Sequence, residues 1–296
     1  MLKKGGGWKM LKGLFLTIFL VCSTLFASQD GFGDLVSMEW LNKHLDDKNV
    51  VIIDVRKEEL YKKGHIKRAV NLPVFKYFFY GKNLMLPPLD TLVKTFSDAG
   101  VDKETKVVVY GDKELIWAAR AYWVGKLLGH KDTALLDGDY ASWKNAHLPT
   151  TTKICKNSPK KFIPKVDDSI MKTKLATYMA INKDIIIDGR PPEYYEGKKS
   201  FAKRAGHIPS ALNYPGAMNY VMGKDGSKMK PFEKLKEIYK NLPKDKEIIL
   251  YCGDGADAAL NYLVLKQLGY KASVYEGSWL EWGNDFNMPI EKGKSK

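Results

Sequence analysis

Short β-branched apolar runs alternate with longer stretches carrying apolar residues at helical spacing, and the alternation occurs twice along the chain. In the first half VVIID (50–54) and VVVY (107–110) are short and bounded by turn residues, the pattern of strands buried on both faces. The segment LIWAARAYWVGKLLG (115–129) has helical spacing and closes on Gly129. In the second half IIID (185–188), IILY (248–251) and ADAALNYLVLKQLG (256–269) follow the same plan, the last closing on Gly269. Strand, helix, strand in that order predicts a mainly parallel sheet flanked by helices, hence an α/β fold.

The two halves are copies. VIIDVR (51–56) answers IIIDGR (185–190), and Gly64-His65-Ile66 answers Gly206-His207-Ile208. Ala69 to Pro73 answers Ala211 to Pro215, VVVY answers IILY, and Asp137-Gly138 with Trp143 answers Glu276-Gly277 with Trp282. The register holds except for one step of eight residues, gained by the second copy within PPEYYEGKKSFAKRA (191–205). The expected organisation is one domain over 34–149 and a second over 167–290. The polar, proline-containing segment 150–166 reads as the linker between them.

Ahead of both copies, a basic stretch ending at Lys12 precedes 14–27, LFLTIFLVCSTLFA, which is uncharged. Fourteen residues are short for a membrane span, which needs ~20, but suit a signal-peptide core. Residues 1–27 are therefore expected to be a signal peptide cleaved after Ala27, which makes the protein periplasmic or otherwise exported. A membrane anchor follows only if the segment stays uncleaved, and Val21 before Cys22 argues against a lipid-modified cysteine. Cleavage would lower the formal charge of +14 by the four lysines Lys3, Lys4, Lys9 and Lys12. The remaining surplus suits anionic partners or merely a lysine-rich soluble surface. No basic run interleaved with aromatics points to nucleic acid.

Of three cysteines only Cys155 and Cys252 lie beyond the apolar segment, too few for a disulfide scaffold. No spacing suggests a metal site, and no cofactor is implied. Cys252 stands where the strand IILY runs through the glycine-bearing loop CGDGADA into a helix. In an open α/β sheet, ligands bind beyond the carboxyl ends of the strands. Loop amides and a helix N-terminus there would stabilise a thiolate. The plainer alternative is a small buried residue. Cys155, in the linker, reads as an incidental thiol, with a relay role to Cys252 as the alternative.

The duplicated Asp-x-Arg, Gly-His-Ile and Asn-x-Pro framework, the Cys252 loop and VYEGSWLEW (274–282) resemble the tandem-domain rhodaneses, the thiosulfate and 3-mercaptopyruvate sulfurtransferases. The resemblance covers roughly 34–290. It implies two rhodanese-like domains, of which the first has Gly111 where the second has Cys252 and is a structural wall. It implies that a small anionic donor passes its outer sulfur to Cys252 as a persulfide and that cyanide or a thiol collects it. The amides from Gly253 through Asp254, Gly255, Ala256, Asp257 and Ala258 would hold the persulfide, and Arg204 would bind the substrate anion. Arg190 reads as an ion-pair partner of Asp188, and His65 and His207 as structural.

Asp254 and Asp257 depart from the family pattern. Thiosulfate-type loops carry basic residues after the cysteine, and mercaptopyruvate-type loops carry small ones. A nearby carboxylate disfavours a thiolate by ~1 kcal/mol or more, so either neighbouring cations offset it or the donor is not thiosulfate. Two rivals remain. A cysteine phosphatase would need an arginine at Ala258 to clamp phosphate. A non-enzymatic persulfide carrier would load sulfur and release it only to a protein partner.

Overall fold

The computed structural model describes residues 31–294, so the apolar N-terminal run and its expected cleavage point lie outside the described residues. In the first half the strands are β1 (Leu35–Val36), β2 (Val50–Asp54), β3 (His65–Ile66), β4 (Val70–Asn71), β5 (Lys106–Tyr110), β6 (Thr133–Leu136) and β7 (Thr150–Thr151). Five of them form one sheet in the order β1-β6-β5-β2-β4, with every pair parallel. β3 and β7 pair separately and antiparallel.

The second half has β8 (Met171–Lys172), β9 (Ile185–Asp188), β10 (Leu212–Asn213), β11 (Tyr220–Gly223), β12 (Gly226–Met229), β13 (Glu247–Tyr251) and β14 (Lys271–Tyr275). Its sheet runs β8-β14-β13-β9-β10, again wholly parallel and in the order of the first. An antiparallel hairpin, β11 with β12, is added. It grips the first half: Ser227 N–H donates to Asp139 Oδ2 at 3.0 Å and Met229 N–H to Asp137 Oδ1 at 2.9 Å.

The predicted helices are present as Ile116–Leu127 and Ala256–Gln267. They are buried on nearly every side, where the spacing alone suggested one apolar face. The reason is that they pack on each other at the junction of the halves. A helix covered all round must be apolar all round. One core cluster accordingly runs through both halves, taking in Tyr122 and Val124 of the first helix with Ala259 and Leu263 of the second.

Each half is pinned by the same buried polar set. Arg56 holds Asp54 through two nitrogens, at 3.0 and 2.6 Å, and donates to Gly64 O at 2.8 Å. Arg190 does the same with Asp188, at 2.9 and 2.5 Å, and with Gly206 O at 2.7 Å. His65 stacks on Tyr61 and His207 on Tyr195, with ring centroids 3.6 and 3.7 Å apart. Buried charges are tolerated when paired in this way. The segment 150–166 lies along the first half rather than hanging free. The Asn157 amide donates to Ala99 O at 2.9 Å, and the buried Phe162 ring stacks on Phe96 at 5.3 Å.

Candidate active site

Cys252 follows the last residue of β13 and its side chain is fully buried. The next turn is made by Gly255, whose φ of +94° is open to glycine and strained for other residues. That turn aims the Gly255 N–H at Cys252 Sγ, 3.1 Å away, and the N–H groups of Asp254 and Ala258 also serve the sulfur. The Ala256 amide is used otherwise, and the Gly253 carbonyl helps to fix the loop. Gly253 accepts from Leu280 N–H at 3.0 Å, and Ala256 N–H donates to Asp254 Oδ1 at 3.1 Å.

The EGSW segment braces the loop from the side. Ser278, at φ +48°, accepts the Cys252 N–H at 3.2 Å through its hydroxyl and donates to Tyr275 O at 3.0 Å. Trp279 N–H donates to Cys252 O at 2.9 Å. The motif therefore fixes the direction in which the cysteine leaves its strand.

Electrostatics run against the expectation of an acidified thiol. Burial pushes the Cys252 thiol far above its ordinary value, and Asp254 and Asp257 push it further, while the Ala258 and Asp254 amides pull the other way. In the sulfur-free protein the desolvation and carboxylate effects win, so Cys252 rests as the thiol. Asp254, whose Oδ1 is 3.9 Å from Sγ, is raised by burial and lowered by the Ala256 amide and Arg120. Asp257 is pushed up to about 8 by burial, with Asp254, Glu114 and Asp188 adding to it. It fits because its neighbours lack side chains: a methyl at Gly216 would stand 2.5 Å from Asp257 Oδ1, and one at Gly189 3.3 Å from its Cβ.

Two further walls were not foreseen. The eight-residue insertion carries Phe201, whose ring would lie 3.3 Å from a methyl at Gly253 and stacks on Tyr194 at 4.2 Å. The second wall is Arg120, from the first half's helix. Its Nη1 would stand 2.7 Å from a methyl at Gly255, and its Nη2 donates to Glu276 Oε1 at 3.0 Å. The signal available in the sequence was an arginine in the middle of a helix whose other charge, Lys126, lies in its last turn.

Arg204 corrects the expectation of a substrate-anion arginine. Its guanidinium donates to the carbonyls of Met288 at 2.8 Å, Trp282 at 2.9 Å and Gly283 at 3.3 Å, and to that of Asp285. It ties down the C-terminal turn. In the first half, the residues after Gly111, Asp112 to Glu114, face an open cleft of about 700 Å³ lined also by Phe75, Trp117 and Met222. Cys155 lines a different cleft, beside Tyr61, whose hydroxyl accepts its N–H at 3.1 Å; burial raises its thiol.

A twice-repeated parallel α/β unit, with a cysteine ringed by amides in one copy, defines a class of sulfur-handling proteins. The rhodanese-like domain profile matches residues 37–146 and 171–285, and the chain belongs to that family. A sulfur carrier protein, TtuD, of Thermus thermophilus is 34% identical over 279 residues, 88% of this chain and 97% of that protein. A protein of Synechococcus elongatus with the provisional name thiosulfate sulfurtransferase is 31% identical over 316 residues, 98% of each chain. Among solved structures, SseA of Escherichia coli, described as a 3-mercaptopyruvate sulfotransferase, superposes with a TM-score of 0.73 at 27% identity, over 83% of this chain and 99% of that one. The protein is a sulfurtransferase of this tandem type.

Proposed function

We propose that Cys252 is the nucleophile and carries sulfane sulfur as a persulfide between a small anionic donor and cyanide or a thiol. The observation that carries this reading is the Gly255 amide 3.1 Å from a sulfur at the end of a central strand, in the one copy that has a cysteine. The thiol first gives its proton to Asp254, 3.9 Å away. The thiolate attacks the outer sulfur of the donor; a new S–S bond forms and the old one breaks. Thiosulfate then leaves as sulfite with the electron pair. With mercaptopyruvate the C–S bond breaks instead, and the carbanion takes up a proton to become pyruvate. The acceptor attacks the outer sulfur and returns Cys252 as thiolate. The loop amides oppose the persulfide charge, as preorganised donors do wherever charge develops.

Sulfur transfer to cyanide with thiosulfate and then mercaptopyruvate as donor, measured beside Cys252→Ser, tests the reading. Turnover that vanishes in the serine variant supports it and names the donor. Loading of sulfur without turnover on cyanide or small thiols would replace the small acceptor with a protein partner. Turnover retained in Cys252→Ser would remove the cysteine from the chemistry.

Export is part of the same proposal, supported by the basic stretch and apolar run of residues 1–27. Cell fractionation with N-terminal sequencing checks it: a mature chain beginning at Ser28 outside the cytoplasm is expected, and a full-length cytoplasmic chain would refute it.

A further inference from the structure

The acidic loop around Cys252 poses a problem that its own half of the molecule does not solve. Asp254 and Asp257 flank the sulfur, Glu114 and Asp188 add to the field at Asp257, and Arg190 is committed to Asp188. Donors of the thiosulfate class are anions.

The first half supplies a cation with one donor left over. Arg120 is 0% exposed, yet its Nη1 has no hydrogen-bond partner. Its other nitrogens are fixed. Nε donates to Phe78 O at 3.3 Å, and Nη2 to Glu276 Oε1, in an ion pair whose acid is itself 7% exposed. The guanidinium lies 4.7 Å from the Phe79 ring centroid and 5.1 Å from that of Trp123, which closes it off from water. The free Nη1 comes against Gly255, the residue after Asp254 and the one whose amide meets Sγ. A buried guanidinium with a donor left over is costly unless a charge nearby uses it. Leu260, fifth in the second helix as Arg120 is fifth in the first, is an apolar residue of the core and has no charge to lend. The use of this position is therefore one-sided.

We propose that Arg120 is a positioning residue of the sulfur-transfer site, a cation lent by the cysteine-less domain that offsets Asp254 and backs the Gly255 turn so that an anion can approach Cys252. The first domain is then a functional part of the site. Its electrostatic reach is consistent with this, because Arg120 lowers the Asp254 carboxyl against the effect of burial.

The inference rests on Cys252 being the reacting sulfur, and its test needs no sulfur donor. Cys252 of the full chain is alkylated at fixed pH with anionic iodoacetate and with neutral iodoacetamide, both rates being read by mass spectrometry on the Cys252 peptide. Removing the ion pair as a unit, Arg120→Met with Glu276→Gln, is expected to lower the iodoacetate-to-iodoacetamide ratio by about fivefold or more. Arg120→Lys, which keeps the charge, is expected to recover the ratio to within about twofold. In an Asp254→Asn background the pair's removal is expected to change the ratio by less than about twofold, because the two charges are coupled. Equal slowing of both reagents, or the same loss of ratio with and without Asp254, would reduce Arg120 to a packing brace and overturn the proposal. Failure of thiosulfate turnover in the unaltered protein would instead strike the donor reading and leave the alkylation ratio to decide Arg120.

Discussion

The loops after β5 and after β13 occupy the same place in two sheets of identical order, and only one of them is built around a sulfur. After β13 the chain runs Cys252-Gly253-Asp254-Gly255, and the left-handed Gly255 turns its amide inward. After β5 it runs Gly111-Asp112-Lys113-Glu114, and its helix begins behind Leu115 at an ordinary φ of −63°. Glu114 stands where Gly255 stands in the other loop and offers its carboxylate to Trp117 Nε1 at 2.8 Å. The difference is thus more than one missing thiol. A methyl at Gly111 would come nearest to Val55 Cγ2 at 3.3 Å, Ala118 Cβ at 3.6 Å and Ala118 N at 3.9 Å, so space for a Cβ nearly exists; the turn that would serve a thiol does not. What the first domain keeps is its helix, which carries Arg120 to the partner loop.

The largest effect expected from breaking this asymmetry is that of Cys252→Ser, a fall in turnover of roughly a thousandfold or more. Gly255→Ala comes next. It forces a side chain into the left-handed region, costing about 1–2 kcal/mol, and brings a methyl 2.7 Å from Arg120 Nη1. About a tenfold loss of turnover or more is expected, with a lower unfolding midpoint in calorimetry.

Asp257 sharpens the comparison through pH. Its carboxyl is pushed up to about 8, so it is neutral at pH 7 and ionises above pH 8 beside Asp254, Glu114 and Asp188. The KM for thiosulfate should rise through pH 8, and Asp257→Asn should flatten that rise. The same group is ionised in the unfolded chain from about pH 4. Because the folded state binds the extra proton between about pH 4 and 8, stability falls as pH rises through that window. Asp257→Asn should therefore stabilise the protein more at pH 8 than at pH 4, as urea titrations at the two pH values would report.

Smaller still is Phe201→Ala. Removing a ring that stacks on Tyr194 and lies against Gly253 should speed alkylation of Cys252 by iodoacetamide about two- to tenfold, the equivalent of one aromatic contact. Gly111→Cys closes the series at no gain: a thiol there, without a left-handed turn, should leave Cys252→Ser inactive. Recovery of turnover in the Gly111→Cys, Cys252→Ser double variant would break the comparison outright.

Period and repetition made much of this legible in the sequence. The strand runs located β2, β5, β9 and β13, and the paired motifs revealed two copies of one sheet. Cys252 at a strand end before a glycine turn marked the candidate sulfur. Arg190 was rightly read as Asp188's partner, because two residues of spacing at a strand end leave them within reach. What escaped depends on contacts distant in sequence. Arg120 meets Glu276 across 156 positions, and no local pattern encodes that pairing. The thiol was expected to be acidic from its helix N-terminus; walls brought from both halves bury it completely, and burial outweighs the amides. Arg204 precedes a glycine-histidine turn, which says nothing about where a long side chain reaches, and it reaches backbone carbonyls. The β11–β12 hairpin turns at Lys224-Asp225 between the paired Gly223 and Gly226, and the glycines that flank this turn were its local sign.

The central claim is that sulfur travels on Cys252. The most direct measurement is intact-protein and peptide mass spectrometry after brief exposure to thiosulfate and to mercaptopyruvate, followed by a chase with cyanide. The account predicts the gain of one sulfur atom on the Cys252 peptide with at least one donor, its loss on cyanide, and no gain on the Cys155 peptide. Sulfur found on Cys155, or turnover with Cys252 never carrying it, would contradict the account.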